Sequence, residues 1–418
     1  MDSIEILRER SPARALRDEA SQRLLRILEH ARRWAIKEAL PFWSLIGFDP
    51  WLGNFQERTD LNGKPIEIAQ RRTMSQARQI YVFSHADLLG WHIAGGALAL
   101  KATEALINRH WRADGKDGWI FSIAPDGGVA DPRRDAYAHA FAAFGLAWAY
   151  RQQPRAQFRE IADQTFHVMD TLLAAPDFGG LLDSAPRLDN WRRQNPHMHA
   201  FEACLAWYEA TGDARYLGRA GEFFGLFSTR FLQPSGILGE YYDDRWTPVE
   251  GDRGRVSEPG HHFEWVWLLR KYGAATGRDV SSHVDKLFHH ALDHGRGPDG
   301  TLFEEVLDDG EIVKSSCRTW PYTEAIKAAA AEHEAGRPGM EDLIAGWMET
   351  MFERHLSKAF AGGWIDQVDA DGQPMVDFAP ASTLYHAFLA IAEVERVFGS
   401  CRLERRRISS PPPLAAAL

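Results

Sequence analysis

Cysteine is scarce in this chain of 418 residues, and Cys204, Cys317 and Cys401 are scattered, with no CxxC. That excludes a disulfide framework and a thiolate zinc site and suits a reducing compartment. Basic residues are the minority, 48 Lys and Arg against 58 Asp and Glu, a formal net charge of −10. A nucleic-acid or anionic-membrane partner would need a basic face that releases counterions, so neither is expected. Long apolar runs are missing; stretches such as Ile93 to Leu100 fall far short of the roughly 20 residues that cross a bilayer. Met1-Asp2-Ser3-Ile4-Glu5 shows no basic stretch ahead of an apolar one, so no secretory signal and a cytoplasmic setting are expected. No GxSxG elbow or Walker loop occurs. Gly295-Arg296-Gly297-Pro298-Asp299-Gly300 spells GxGxxG but follows a helix pattern and precedes a hairpin, the wrong context for dinucleotide binding. Aromatics, by contrast, are plentiful, with 15 Trp and 23 Phe. Core packing is their first reading and the lining of a sugar pocket the second.

What is present is a weak internal period. Six times a glycine is followed by aromatic or aliphatic residues and then by turn residues. These are Gly53, Gly118, Gly180, Gly236, Gly300 and Gly363, with gaps of 65, 62, 56, 64 and 63 residues. Two segments read as hairpins: Leu302 to Val306 turns at Asp308-Asp309-Gly310, and Trp364 to Val368 turns at Asp369-Ala370-Asp371-Gly372. Between the glycine segments, Leu16 to Ala39, Ala138 to Arg151, Met198 to Tyr208, Phe263 to Thr276, Glu324 to Ala335 and Thr383 to Phe398 carry apolar residues three and four apart. About 60 residues per repeat hold two helices of roughly 12 to 18 residues and a hairpin. Six such units predict an all-α fold, an (α/α)6 barrel of helix pairs with short β-hairpins on one rim. An open solenoid would not need a hairpin at every repeat. No Pro- or Ser-rich linker interrupts residues 15–398, so residues 1–400 read as one domain and 401–418 as a disordered tail. Arg405-Arg406-Arg407 reads as a solvated helix end.

Polar residues recur in phase with the glycines. The first strongly polar residue on each following helix is Arg78, His139, His199, His261, Glu324 and His386, at offsets of 25, 21, 19, 25, 24 and 23. On the inner ring of a closed barrel all six would point to one axis. Asn195-Pro196, Glu258-Pro259, Trp320-Pro321 and Ala379-Pro380 mark helix starts, since proline suits the first helical turn and little beyond it. His199, His261, Glu324 and His386 then sit at the rim, where helix N-termini favour an oxyanion and oppose protonation of imidazoles. Asn195 and His199, His261 and Glu264, Trp320 and Glu324, and Ser382 and His386 each share a helix face. His197 and His199, two apart, cannot both face inward. His289, His290 and His294 read as a turn of an outer helix. With no HExxH and no carboxylate cluster, no metal and no cofactor are expected.

Several histidines, an arginine, an asparagine and few free carboxylates suit proton transfer better than glycoside hydrolysis, which needs a carboxylate pair. Glu264 and Glu324 are the only candidates for such a pair. Imidazole titrates near pH 6.5, so one histidine can serve as base and another as acid. A sugar-binding barrel without catalysis is the remaining alternative.

Five strings carry a resemblance: Gln76-Ala77-Arg78-Gln79-Ile80-Tyr81, Asn195-Pro196-His197-Met198-His199-Ala200-Phe201-Glu202-Ala203, Glu258-Pro259-Gly260-His261-His262-Phe263-Glu264-Trp265, Arg318-Thr319-Trp320-Pro321-Tyr322-Thr323-Glu324 and Ser382-Thr383-Leu384-Tyr385-His386. From about residue 40 to 395 the chain resembles the N-acylglucosamine 2-epimerase superfamily. The first Asn-Pro string and Asp135-Ala136-Tyr137-Ala138-His139 look most like its mannose isomerase branch. The resemblance implies an (α/α)6 barrel, a free sugar as substrate and no required metal. It implies an aldose–ketose isomerase acting on D-mannose and D-fructose through a cis-enediol, with a sugar 2-epimerase as the alternative. His261 and His386 match the catalytic histidines, the second moving a proton between C2 and C1 and the first helping to open the ring, with that division left open. Arg78, Tyr137, Asn195, His199, Glu264, Trp320 and Glu324 match ligand-facing positions. The Asp252-Arg253-Gly254-Arg255 loop is expected to bring another arginine over the cavity, and His262 has no role assigned. A small monosaccharide is the expected partner, with the protein a monomer or homodimer.

Overall fold

Each glycine segment ends one helix pair and turns the chain back toward the inner ring. The computed structural model of the protein describes residues 12–356 and 358–399. The first residues, Cys401, the arginine triplet and the tail from residue 401 lie outside the described residues. Twelve long helices alternate between two rings, odd numbers outside and even numbers inside. In chain order they are α1 (Pro12–Trp34), α2 (Thr73–Leu88), α3 (Gly95–His110), α4 (Ala136–Gln152), α5 (Ala156–Thr171), α6 (Asn195–Thr211), α7 (Ala214–Leu226), α8 (Pro259–Thr276), α9 (Ser281–His294), α10 (Thr319–Glu334), α11 (Met340–Met351) and α12 (Thr383–Phe398). This is the predicted (α/α)6 barrel.

The two rings differ because their helices bury different amounts of surface. In α4 every residue from Ala138 to Ala149 is buried, so the helix is apolar all round and rich in alanine. Its outer partner α5 buries only Phe158, Ile161, Ala162, Thr165, Phe166, Val168 and Met169, and leaves its other face to water. Glycines end two inner helices: Gly212 and Gly277 adopt the left-handed conformation just past α6 and α8.

The short strands repeat one pairing. The strand entering each inner helix lies antiparallel to the strand that follows the same repeat's outer helix. Residues 71–72 pair with 122–123, 134–135 with 184–185, 192–193 with 241–242, 256–257 with 305–307, and 317–318 with 367–368. The sixth pairing closes the ring, setting Phe378, Ala379 and Pro380 against Asp60, Thr59 and Arg58. Trp43 reinforces the seam: its indole stacks on Trp364 with centroids 5.0 Å apart, and its Nε1 donates to Gly362 O at 3.1 Å. Gln79 on the first inner helix donates to Ala381 O at 2.6 Å.

One detail departs from the sequence reading. Pro380 belongs to the closing strand rather than to a helix start, whereas Pro196, Pro259 and Pro321 lie in first turns. In the sixth repeat the left-handed glycine is Gly362 (φ +82°), not Gly363. Among the described residues no helix is long and apolar enough to cross a membrane.

Candidate active site

The hairpins and the N-termini of the inner helices share one rim, and the sequence-predicted site residues converge below it. Arg78 on α2 lies 4.1 Å from the Phe141 ring centroid and donates to the Tyr137 hydroxyl. The Tyr137 ring packs edge-on against His199, 4.9 Å between centroids. His199 Nδ1 donates to Glu202 Oε2 at 3.0 Å and lies 3.9 Å from Glu264 Oε1. His261 Nε2 is 3.2 Å from the Asn195 amide. The His261 ring faces the Trp320 indole at 5.1 Å, and the same indole faces His386 at 6.1 Å. His386 Nδ1 donates to Glu324 Oε1 at 2.9 Å. All nine predicted side chains thus belong to one group.

His139 does not join them. Its Nε2 accepts from the Trp119 N–H at 3.1 Å and its Nδ1 donates to Asp135 O at 2.8 Å. His197 and His262 do the same in their repeats, accepting from Leu181 N at 2.8 Å and Leu238 N at 3.0 Å. Gln76 supplies the equivalent acceptor for Phe55 N at 2.6 Å. These side chains bind the segment after each repeat glycine to the next inner helix, which gives His262 a structural role. Space is tight there: a Cβ on Gly118 would stand 2.8 Å from His139 Nε2, and one on Gly180 would stand 2.9 Å from His197 Nε2. His139 therefore corresponds to His197, and the in-phase count had paired it with the wrong neighbour.

The site is also richer in carboxylates than the sequence suggested. Glu202, Glu240, Glu258 and Lys327 join Glu264 and Glu324, and of these only Glu258 keeps more than marginal exposure. His261 Nδ1 donates to Glu240 Oε1 at 2.9 Å, with Glu258 3.7 Å away. Gln194 steadies Glu240, donating from Nε2 to Oε2 at 3.1 Å, and Trp265 Nε1 donates to Gln194 Oε1 at 2.8 Å. On the other side Lys327 Nζ, fully buried, stands 2.5 Å from Glu324 Oε2. Tyr385 reaches across the barrel to donate to Glu202 Oε1 at 2.6 Å. Glu202 lies three residues after His199 and Lys327 three after Glu324, so the shared helix face was a usable signal. Glu240 sits in a connecting loop and gave none.

These surroundings push the two central histidines apart. Burial lowers His261, but Glu240 and then Glu258 outweigh it and raise the imidazole to about 10. Burial also lowers His386, and here it wins over Glu324, bringing the imidazole down to about 4. His261 is therefore an imidazolium at neutral pH and His386 a neutral base, contrary to the expectation that helix N-termini would keep both uncharged. The atom of the Asn195 amide at Nε2 is Nδ2, and because an imidazolium donates from both nitrogens, a charged His261 bonds this side chain only when the amide is turned to present its oxygen. Glu324 is held down to about 2: burial opposes its ionisation, but Lys327 and His386 outweigh burial. Glu264 is pushed well up by burial and by the Glu324 charge, leaving it a neutral acid whose buried Oε1 has no partner.

Two trios, His199 with Glu202 and Glu264, and Glu240 with Glu258 and His261, each gather three possible metal-ligand atoms within 4.8 Å. The first trio is joined by His199 donating to Glu202 and the second by His261 donating to Glu240. Both read as hydrogen-bonded acid–base groups.

The arginine loop splits in two. Arg253 stacks over Trp191 at 3.9 Å, on the wall of a cavity of about 360 Å³ that Tyr137 and Asn195 also line. Arg255 turns away to Asp308 and Asp309. A larger cavity, about 730 Å³, opens at the opposite end of the barrel beneath Tyr81, Trp148 and Trp267. Its charged residues pair among themselves, Lys271 with Glu209 at 2.8 Å and Arg396 with Glu334 at 2.5 Å. The convergence of acid, base and polar donors is at the hairpin rim, and that rim is the better candidate.

A closed double ring of helices with acid–base side chains at the N-terminal rim of its inner helices defines an (α/α)6 barrel of the sugar-epimerase type. Residues 53–390 match the family model described as N-acylglucosamine 2-epimerase (GlcNAc 2-epimerase). The chain belongs to that family. It is 34% identical over 374 residues to a mannose-6-phosphate isomerase of Rhizobium meliloti, covering 87% of this chain and 95% of that protein. It is 29% identical over 362 residues to a D-mannose isomerase of Thermobifida fusca, covering 79% and 86%. The solved cellobiose 2-epimerase of Bacillus thermoamylovorans shares the fold with a TM-score of 0.80 at 20% identity, covering 88% of this chain and 99% of that one.

Proposed function

We propose that the protein is an aldose–ketose isomerase interconverting D-mannose and D-fructose, without a metal, through a cis-enediol. The observation that carries this is the pair of histidines facing one indole, each with Nδ1 on a carboxylate, in surroundings that raise His261 and lower His386. In this reading His261, the imidazolium, gives a proton to the ring oxygen and takes up the proton that O1 loses, so the pyranose opens and His261 stays charged. His386 Nε2 then takes the C2 proton while His261 protonates O1, giving the enediol. Return of the carbon-bound proton to C1, with loss of the O2 proton to His261, yields the ketose. Both histidines end as they began. Arg78 and the neutral Glu264 stabilise the oxygen charge that develops between these steps, and Asn195, His199, Tyr137, Trp320 and Glu324 hold the sugar and the two imidazoles.

The relatives' names support a mannose isomerase over an epimerase, and they divide over a phosphate on the sugar. The rim favours the free hexose. Arg72, Arg193 and Arg318 are paired with Glu57, Asp183 and Asp366, which leaves Arg78 and Arg253 as the rim arginines not committed to a carboxylate. Purified protein incubated separately with D-mannose, D-mannose 6-phosphate, N-acetylmannosamine and cellobiose, followed by chromatography, tests the reading. Fructose from mannose supports it. Glucose from mannose makes the protein a 2-epimerase, and conversion of the phosphate ester alone overturns the free-sugar assignment.

A further inference from the structure

His261 and His386 are oriented alike, each Nδ1 donating to a carboxylate oxygen at 2.9 Å. His261 also has a second carboxylate, Glu258, 3.7 Å from Nδ1, and the far side of the bonded carboxylate differs as well. Glu240 has the neutral Gln194 amide at its second oxygen. Glu324 has the ammonium of Lys327, fully buried, 2.5 Å from its second oxygen and 4.2 Å from the Trp267 ring centroid. A lysine with no exposure is costly unless its charge has a task or a close partner.

We propose that Lys327 is a positioning residue for proton transfer: by balancing the charge of Glu324 it lets that carboxylate orient the His386 imidazole without holding a second proton on it. Glu324 then fixes the tautomer, with Nδ1–H directed at the carboxylate and Nε2 bare toward the sugar. Glu240, with no such cation, keeps His261 charged. The lysine beside Glu324, together with the second carboxylate, Glu258, beside His261, thereby separates the two histidine–carboxylate pairs into a base and an acid. The other groups that act on or pack against His386 are Arg78 from α2, Trp320 from α10 at 6.1 Å and Tyr385 beside it on α12 at 4.8 Å between ring centroids. Of these Arg78 acts in the same direction as Lys327, and Glu324 acts against both.

The role rests on His386 being the base, but its first test does not. In the full-length protein with ring-labelled histidines, the His386 titration midpoint is followed by NMR in wild type, Lys327→Met and Lys327→Arg. The expected result is a rise in proton affinity of tenfold or more in Lys327→Met, with Lys327→Arg close to wild type. A His386 midpoint unmoved in folded Lys327→Met overturns the proposal. Should that variant fail to fold, Glu324→Gln/Lys327→Met, which removes both charges of the ion pair together, carries the test. Cancelling charges predict a midpoint like wild type, and a marked fall means the lysine was not balancing the carboxylate. The acid limb of kcat/KM for mannose is then measured in Lys327→Met. A limb that moves up with the NMR midpoint supports both ideas. An NMR shift with an unmoved limb leaves the lysine's effect standing and removes His386 as the base.

Discussion

The imidazoles of His261 and His386 face the same indole, Trp320, at 5.1 and 6.1 Å between ring centroids. They stand on helices two repeats apart in the ring, 125 residues apart in the chain. One small molecule seated against Trp320 can touch both. Their protonation states are opposed because burial disfavours charge at both, yet only His261 has enough uncancelled carboxylate nearby to overcome it.

This asymmetry sets a pH profile. kcat/KM for mannose should be bell-shaped, falling on the acid side near pH 4 as His386 gains a proton and on the alkaline side near pH 10 as His261 loses one. Glu240→Gln removes the carboxylate that does most to hold His261 charged. Its alkaline limb should move down by about one unit or more, equivalent to about 1.4 kcal/mol. An unmoved limb would separate Glu240 from the acid.

His386→Asn keeps the amide-sized polar group but removes the titrating nitrogen. Turnover of mannose should fall by about 10² to 10⁴-fold, with the thermal unfolding midpoint close to wild type. Wild-type turnover in a folded variant would show that another group takes the carbon-bound proton.

His139→Ala should do the reverse. It leaves the Trp119 N–H buried without its acceptor, a loss of about 1 to 3 kcal/mol in denaturant unfolding, while kcat stays within a few-fold of wild type. Burial lowers His139 to about 4 and His197 to about 3. The unfolded chain therefore binds protons that the folded one refuses. This stability is present above pH 6.5 and is lost as pH falls through about 4 and then 3. Unfolding midpoints measured from pH 7 downward should drop over that window, and less so in His139→Ala than in wild type.

If Glu264 and His261 are protonated as their surroundings dictate, neither carboxylate trio needs an ion. Exhaustive treatment with a chelator should leave mannose turnover unchanged. Loss of activity restored by one divalent ion would reassign those trios as a metal site.

Much of this was legible in the chain because a repeat writes both fold and site at once. The spacing of the six glycines implied six helix pairs, and the first turns after Pro196, Pro259 and Pro321 located Asn195, His199, His261, Glu264 and Glu324. Counting along a repeat could not tell which face of the helix a side chain takes, so His139 was grouped with His199 although it works as His197 does. Lys327 and Glu202 share helix faces with Glu324 and His199 but were passed over, because a charged residue on a helix reads as solvated until neighbouring helices enclose it. Glu240 lies in a loop whose path depends on strand pairing between residues 192–193 and 241–242, a contact no local pattern announces.

The most direct test is a crystal structure of the full-length protein with D-mannitol, an open-chain hexitol that mimics the opened aldose. The polyol should lie against Trp320 with C1 and C2 beside His386 Nε2 and its oxygens within hydrogen-bond reach of His261. A polyol seated instead in the cavity at the far end of the barrel, or touching only one of the two imidazoles, would contradict the shared acid–base site.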